Sequence, residues 1–358
     1  MQPMLVCAVG RRELRLGDAC RSHASTVDHA TVLWWGIKTD VEQVTTPSSS
    51  LHIGSKTISW WDWLRYGPFL AQLVVTRRCN LSCGYCSEYD STSQPISFAI
   101  LQSRMEKLRQ LRTWAVALMG GEPTLHPDLL DIFAEMRRLG FRRRMMTTNG
   151  ILLSKELIEG LNTQGVTDIN VSVDGVKRND TTVKVLETLR TRLELLAQHA
   201  RFHVVLSAVI GSAPPEEVLE VVDFATSHGF SPRVLLLHDE SGQIGLSPDQ
   251  LALYEEVKRR LGRAANEAGN YRDRLIHGET APFRCRAGAR YLYIDEFGMV
   301  CWCAQTRTSF RRPLLEYTLD DLREQFYTRK PCQTTCSVGC VRTVSAYDAW
   351  RSQRASSN

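Results

Sequence analysis

The sequence predicts an α/β fold built on a parallel sheet, with a cysteine-rich C-terminal extension. Three observations carry this. Short apolar runs alternate with longer helical patterns six times between residues 71 and 237. Strand-then-helix alternation implies right-handed βα crossovers and hence parallel strands. Nine of the 11 cysteines fall in two tight groups, one just after the first of those runs and one in the last 75 residues. Hydrophobic residues make up 43% and charged residues 23%, the balance of a globular chain with a real core.

The elements follow in order. Residues 1–68 show no clear period. They hold a polar run, Thr45-Thr46-Pro47-Ser48-Ser49-Ser50, that reads as loop, and an aromatic stretch, Ile58 to Leu64, that reads as an amphipathic helix packing its tryptophans on the main domain. Strands are expected at 72–76, 115–119, 144–148, 168–174, 202–210 and 234–237. Helices are expected at 97–112, 127–139, 154–163 with Ser154 as N-cap, 181–199, 215–228 and 248–265. Such a sheet is either open and doubly wound or bent into part of a barrel, and in both cases its site belongs at the C-terminal strand ends. A hairpin is expected at 291–300. The units are 1–68, an N-terminal extension; 69–245, the βα core; 246–281, a linking helical segment; and 282–358, the cysteine-rich extension.

Composition excludes several classes. No apolar stretch is long enough to span a bilayer. The N-terminus places its apolar run before its charges, the reverse of a secretory signal, so a cytoplasmic protein is expected. A net charge of +5 is small for the length, and the basic run Arg142-Arg143-Arg144 reads as a solvated turn, so nucleic acid is not expected as a partner. Without secretion, clustered cysteines read as metal ligands rather than disulfides, with a structural zinc site as the alternative. Cys7 and Cys20 stand apart as ordinary thiols.

Cys79, Cys83 and Cys86, spaced C-x3-C-x2-C, put three thiols on one loop directly after the first strand. Thiolates are the ligands of iron–sulfur clusters, and three of them leave one iron of a four-iron cluster open. After the second strand comes Gly120-Gly121-Glu122-Pro123. The glycines let backbone approach a ligand, and Glu122 offers an acceptor to a cationic group. Asn149 ends the third strand; Ser172 and Asp174 end the fourth. Asn149 and Asp174 can equally make turns with the glycine that follows each.

The cysteine loop, the aromatic Tyr85 before its last cysteine and the Gly120–Pro123 turn resemble the radical S-adenosylmethionine superfamily over roughly residues 70–240. That resemblance implies a partial (βα)6 barrel and a [4Fe-4S] cluster on Cys79, Cys83 and Cys86. It implies S-adenosyl-L-methionine chelated to the open iron and contacted by residues from Tyr85, Gly120, Gly121, Glu122, Asn149, Ser172 and Asp174. The chemistry implied is reductive cleavage of the cofactor to a 5′-deoxyadenosyl radical that abstracts a substrate hydrogen. A reductant such as flavodoxin or ferredoxin is then required. The alternative from another class is a non-catalytic iron–sulfur electron carrier.

The tail, with Cys285, a hairpin, then Gly298 and Cys303 separated by four residues, resembles the auxiliary-cluster extension called SPASM, or its shorter form Twitch. Cys332, Cys336 and Cys340 follow as C-x3-C-x3-C. This departs from the longer SPASM series with its C-x2-C units. Six cysteines are too few for two fully ligated four-iron clusters. One auxiliary cluster is therefore expected, on Cys285 and Cys303 plus two of the last three, with Cys301 a ligand or a spare. The substrate is read as a peptide or a small molecule undergoing oxidation or carbon–carbon bond formation, and no catalytic side chain is assigned.

Overall fold

The computed structural model describes residues 4–9, 60–86, 89–238, 244–262 and 271–349. The polar run at 45–50 and Cys20 lie outside them. The core alternates strand and helix as the sequence pattern requires: β2 (Leu70–Thr76), α2 (Phe98–Gln110), β3 (Ala115–Gly120), α3 (Leu129–Arg138), β4 (Arg143–Thr148), α4 (Lys155–Thr163), β5 (Asp168–Ser172), α5 (Leu186–His199), β6 (His203–Ile210), α6 (Pro215–Ser227) and β7 (Ser231–His238). Before it lie β1 (Met4–Val9) and α1 (Trp60–Tyr66). After it come α7 (Pro248–Leu261), α8 (Tyr271–Ile276), β8 (Tyr291–Ile294), β9 (Met299–Cys301), β10 (Arg312–Pro313), α9 (Leu319–Tyr327) and α10 (Gly339–Ala346).

The ten strands of the described residues form one sheet in the order β1-β7-β6-β5-β4-β3-β2-β8-β9-β10. Strands β2 to β7 pair in parallel, and β1 and β10 stay at opposite edges, so the barrel is partial and open. One face of the sheet is covered by the helices, and on the other the tail covers β2 and β3, so these two strands read as near-continuous apolar runs. Ala71, Leu73, Val116, Leu118, Ile169 and Val171 pack with helix residues such as Leu101, Phe133 and Leu189. Leu70, Val74, Ala115 and Ala117 on the other face pack with Tyr291, Tyr293, Cys285, Cys303 and Val341 of the tail.

Four features differ from the sequence reading. Met4–Val9 is a strand, antiparallel to β7 in the register Met4↔His238, and Cys7 lies on it. A six-residue strand with a single neighbour carries too little period to be seen from sequence. The hairpin β8–β9 does not stand alone: β8 pairs in parallel with β2, Leu70↔Tyr291 to Leu73↔Ile294, so the tail continues the core sheet. Helix α5 begins at Leu186, not 181. The Asn179 side chain accepts the backbone N–H of Thr181 and Thr182 in a local turn, and β-branched Thr182 and Val183 favour extended backbone there. Of the aromatic stretch before the core, Trp63 packs on the core while Trp61 is 65% exposed, so the expected packing holds for one of the two tryptophans whose side chains are described.

Some termini follow the sequence closely. Ser154 caps α4 by accepting from the Leu157 N–H at 3.2 Å. Ser247 and Gln250 form a capping box around Pro248 at the start of α7. The Arg142–Arg144 run is not wholly solvated. Arg143 pairs with Asp168, and Arg144 donates to the carbonyls of Gly165 and Phe141. Arg142 and Arg144 with Arg109 and Arg112 line an open depression of about 510 Å³ at the N-terminal strand ends. Among the described residues no helix is long and apolar enough to cross a membrane.

Candidate functional site

The loop that carries the first three cysteines leaves the C-terminal end of β2 and is tied at several points. Cys79 N–H donates to the Asp90 carbonyl at 2.9 Å and Asp90 N–H to that of Arg77 at 2.8 Å, closing the loop on itself. Cys86 N–H reaches the Cys83 carbonyl at 3.1 Å, and Gly84 N–H the Thr181 carbonyl at 3.1 Å. Cys83 is buried; Cys79 and Cys86 are partly exposed. Burial raises the pKa of Cys79, and Glu122, Cys86 and Cys83 raise it further, which places the three thiols within electrostatic reach of one another. Burial also raises the Cys83 pKa, against the opposing pull of the Lys184 ammonium.

Tyr85 anchors the loop from below. Its hydroxyl donates to Asp174 and accepts from Lys184 Nζ. Thr182 Oγ1 donates to Asp174 Oδ2 at 2.7 Å, and Lys184 Nζ stands 3.2 Å from the same oxygen. Burial first, then Asp174, pushes the Tyr85 pKa far upward, so the phenol stays protonated. Asp174 is fully buried, and its Oδ1 has no hydrogen-bond partner among the described residues. A buried carboxylate oxygen left bare is costly, so this one stands ready for a further donor. Lys184 and Thr182 escaped the sequence reading because they fell within the expected first turn of a helix.

Glu122 is also fully buried and makes four bonds. Oε1 accepts from Thr124 N–H at 3.0 Å, Thr124 Oγ1 at 2.7 Å and Thr148 Oγ1 at 2.7 Å; Oε2 accepts from Asn149 N–H at 2.7 Å. It therefore clamps the end of β3 to the end of β4. Gly120 and Gly121 are required by backbone already in place. A Cβ on Gly120, at φ +143°, would lie 1.9 Å from the Thr76 carbonyl oxygen, and one on Gly121 would lie 2.4 Å from those of Arg77 and Arg78. These glycines let the loop after β2 cross β3, a close approach of chain to chain where the sequence suggested chain to ligand.

Asn149 makes the turn considered for it and a second bond into the cysteine loop. Its Oδ1 accepts from Ile151 N–H at 3.0 Å, making the turn, while its amide donates to Asn80 Oδ1 at 2.7 Å inside the cysteine loop. Ser172 ends β5 opposite Ser207 and is partly exposed at the strand-end rim. Tyr85, Gly120, Gly121, Glu122, Asn149 and Asp174 thus converge on the cysteine loop, with Ser172 at the neighbouring strand end.

The tail builds a second thiol group. Cys285 lies within electrostatic reach of Cys303 and Cys332, Cys332 of Cys303, and Cys336 of Cys285 and Cys303. Burial pushes the Cys285 thiol up to about 11. Cys340 instead bonds the Tyr291 phenol, which donates to Gln72 Oε1. Cys301 Sγ lies among oxygens, 3.6 Å from the Arg307 carbonyl and 4.0 Å from Asp295 Oδ2. Cys285, Cys303, Cys332 and Cys336 thus reach one another, while Cys301, itself within reach of Cys303, and Cys340 also have the partners just given. Among the described residues no three His, Cys, Asp or Glu side chains converge tightly enough to hold a single metal ion.

Comparison with known proteins agrees with this geometry. The sequence profile of the Radical SAM superfamily matches residues 73–242. The probable GTP 3′,8-cyclase of Saccharolobus islandicus (strain Y.N.15.51 / Yellowstone #2) is 30% identical over 179 residues, 46% of this chain and 56% of that one. The GTP 3′,8-cyclase of Limosilactobacillus fermentum is 26% identical over 178 residues, 46% of this chain and 52% of that one. The chain spans about half the length of the curated relatives it matches. Among solved structures, anSMEcpe with bound AdoMet and Cp18Cys peptide superposes with a TM-score of 0.53 at 15% identity, over 80% of this chain and 96% of that one. Streptococcus suis SuiB bound to S-adenosylmethionine gives 0.52 at 17%, over 77% and 70%. At these identities the likeness is one of fold.

Proposed function

Because residues 73–242 carry a Radical SAM superfamily domain, we propose that this chain is an enzyme that cleaves S-adenosyl-L-methionine reductively and abstracts a hydrogen atom from a substrate. The observation that carries the reading is the set of three thiols, Cys79, Cys83 and Cys86, gathered on one anchored loop at the C-terminal end of β2. Those thiols fit a four-iron cluster with one iron free of protein ligands. When bound, the cluster and cofactor supply an electron to a sulfonium and, from its cleavage, a carbon radical.

The chain's own residues hold and shape that site. Tyr85, Asp174 and Lys184 fix the loop from beneath, and Glu122 fixes the rim formed by Thr124, Thr148 and Asn149. Ser172 and the bare Asp174 Oδ1 are the groups we assign to the polar part of the cofactor. Cys285, Cys303, Cys332 and Cys336 are assigned to one auxiliary cluster, on the strength of their mutual reach and their all-thiol chemistry. Four protein ligands leave no iron open for substrate, which favours electron acceptance over substrate binding at that cluster and hence a net oxidation. The substrate belongs to the peptide or small-molecule class. The similarity to the GTP cyclases covers about half of them and supports the domain rather than the nucleotide.

The test is anaerobic purification, reconstitution with iron and sulfide, an iron count, and assay for 5′-deoxyadenosine after adding dithionite and S-adenosylmethionine. About eight irons per chain with product is the expected result, from two four-iron clusters. About four irons with product would remove the auxiliary cluster and keep the enzyme. Absence of iron and of product would overturn the proposal.

A further inference from the structure

Three cationic side chains are buried around the tail thiols. Lys330 is 1% exposed, Arg286 2% and Arg342 4%. Taking a cation out of water costs several kcal/mol unless an anion accompanies it. Lys330 Nζ donates to the Gln325 carbonyl and lies 5.7 Å over the Trp302 ring. The charges that act on it are Cys285 and Cys332, favourably, and Arg286 and Arg284, unfavourably. Arg342 donates to the carbonyls of Cys336 and Ala281, both at 2.7 Å, and stacks at 4.3 Å over both Tyr271 and Phe283. Cys336 and Cys285 are the cysteines whose charge favours it. Carbonyls and rings orient these cations without neutralising them. The thiolates that act on these cations are Cys285 and Cys332 for Lys330 and Cys336 and Cys285 for Arg342, so that Cys285 faces both.

A surface lysine beside a cluster would be screened by water. Lys330 and Arg342 are not, so their field acts at the low effective dielectric of an interior. A thiolate-ligated cluster gains one negative charge when it takes an electron. Fixed positive charge nearby stabilises that more negative state over the oxidised one, and local charge and hydrogen bonding are what set such potentials.

We propose that Lys330 and Arg342 are the buried counter-cations of the cluster on Cys285, Cys303, Cys332 and Cys336, and that their charge raises its reduction potential so that it accepts an electron. They act as positioning residues and touch no substrate. The inference rests on the auxiliary-cluster reading above. Reduction here is a one-electron step in which the cluster is reduced and the donor, a substrate radical in turnover or dithionite in the test, is oxidised.

The experiment uses the full chain with Cys79, Cys83 and Cys86 replaced by alanine, so that iron is held by the tail alone. Iron content and midpoint potential are read by dithionite titration with redox mediators and followed by electron paramagnetic resonance. Lys330→Met and Lys330→Gln, which lack the charge, are expected to hold iron at a lower midpoint potential, and Lys330→Arg to restore the parent value. Loss of iron in both neutral variants with full iron in Lys330→Arg supports the counter-cation role, since charge alone separates them. Iron retained at the parent potential in the neutral variants would overturn it, as would loss of iron in all three. A parent that binds no iron would instead overturn the auxiliary-cluster reading, and this proposal with it.

Discussion

At the scale of single residues, the site depends on carboxylates whose oxygens are already committed. Replacing Glu122 with Gln puts an amide nitrogen against either the Asn149 N–H or the three donors now served by Oε1. We expect Glu122→Gln to cost about 1–3 kcal/mol, seen as a lower urea midpoint. Iron should also be lost faster from the loop, because Asn149 is bonded to Asn80 there. An unchanged midpoint would show that the clamp is unimportant. Lys184→Met should cost about 3–5 kcal/mol by stranding Asp174, and the double variant Lys184→Met with Asp174→Asn should recover part of the loss. If the two changes simply add, the pair is not coupled. The cysteines and the Gly120–Pro123 turn were legible in the sequence because their chemistry is local: ligand type, spacing and the absence of a Cβ. The Tyr85–Asp174–Lys184 contact was not, because it joins side chains 89 and 99 positions apart that only the folded chain brings together.

At the scale of elements, the floor of the sheet is held by a polar ladder across β4, β5, β6 and β7. Arg143 pairs with Asp168, His203 Nδ1 stands 3.3 Å from the same carboxylate, and His203 Nε2 is 2.8 Å from Ser231 Oγ. Burial alone would raise the Asp168 pKa, but the His203 bond and the Arg143 charge outweigh it and the pKa is depressed. A depressed carboxylate contributes stability that is present above its unfolded pKa near ~3.9 and is lost as pH falls through the folded value. Urea midpoints of the wild type and Asp168→Asn should therefore differ at pH 7 and converge below pH ~4. A gap that persists at low pH would mean that Asp168 acts by packing rather than by charge. The core strands and most core helices were legible from period and punctuation. The start of α5 was not, since a side-chain turn at Asn179 competes with the helix over residues that would otherwise extend it.

At the scale of the whole molecule, β2 is the central member of the design. It pairs with β3 on one side and β8 on the other, and its end carries the cysteine loop. Arg77, at the base of that loop, bonds Glu296 at 2.7 Å and the Tyr293 hydroxyl at 3.3 Å. Truncation after residue 281 would remove β8 and leave the inner edge of β2 as a row of open donors and acceptors, with Leu70 and Val74 uncovered. We expect such a chain to aggregate, measured as a shift of the main peak to the void volume in size-exclusion chromatography. A soluble, iron-binding truncated chain would show that the tail is dispensable to the core. The sequence marked the tail as a distinct unit because its composition changes at 282. Strand pairing across such a distance leaves no local pattern to read.

The bond from Arg77 to Glu296 spans 219 positions. A chain is made from its N-terminus, so the loop that carries the first cysteines leaves the ribosome long before the strand that secures its base. Until β8 and β9 have been synthesised, that loop has its ties within the core but lacks the one at its base through Arg77. If the proposed cluster forms on this loop, we expect it to be filled only once residues 291–301 have been made, so that the far end of the chain times the completion of the first site.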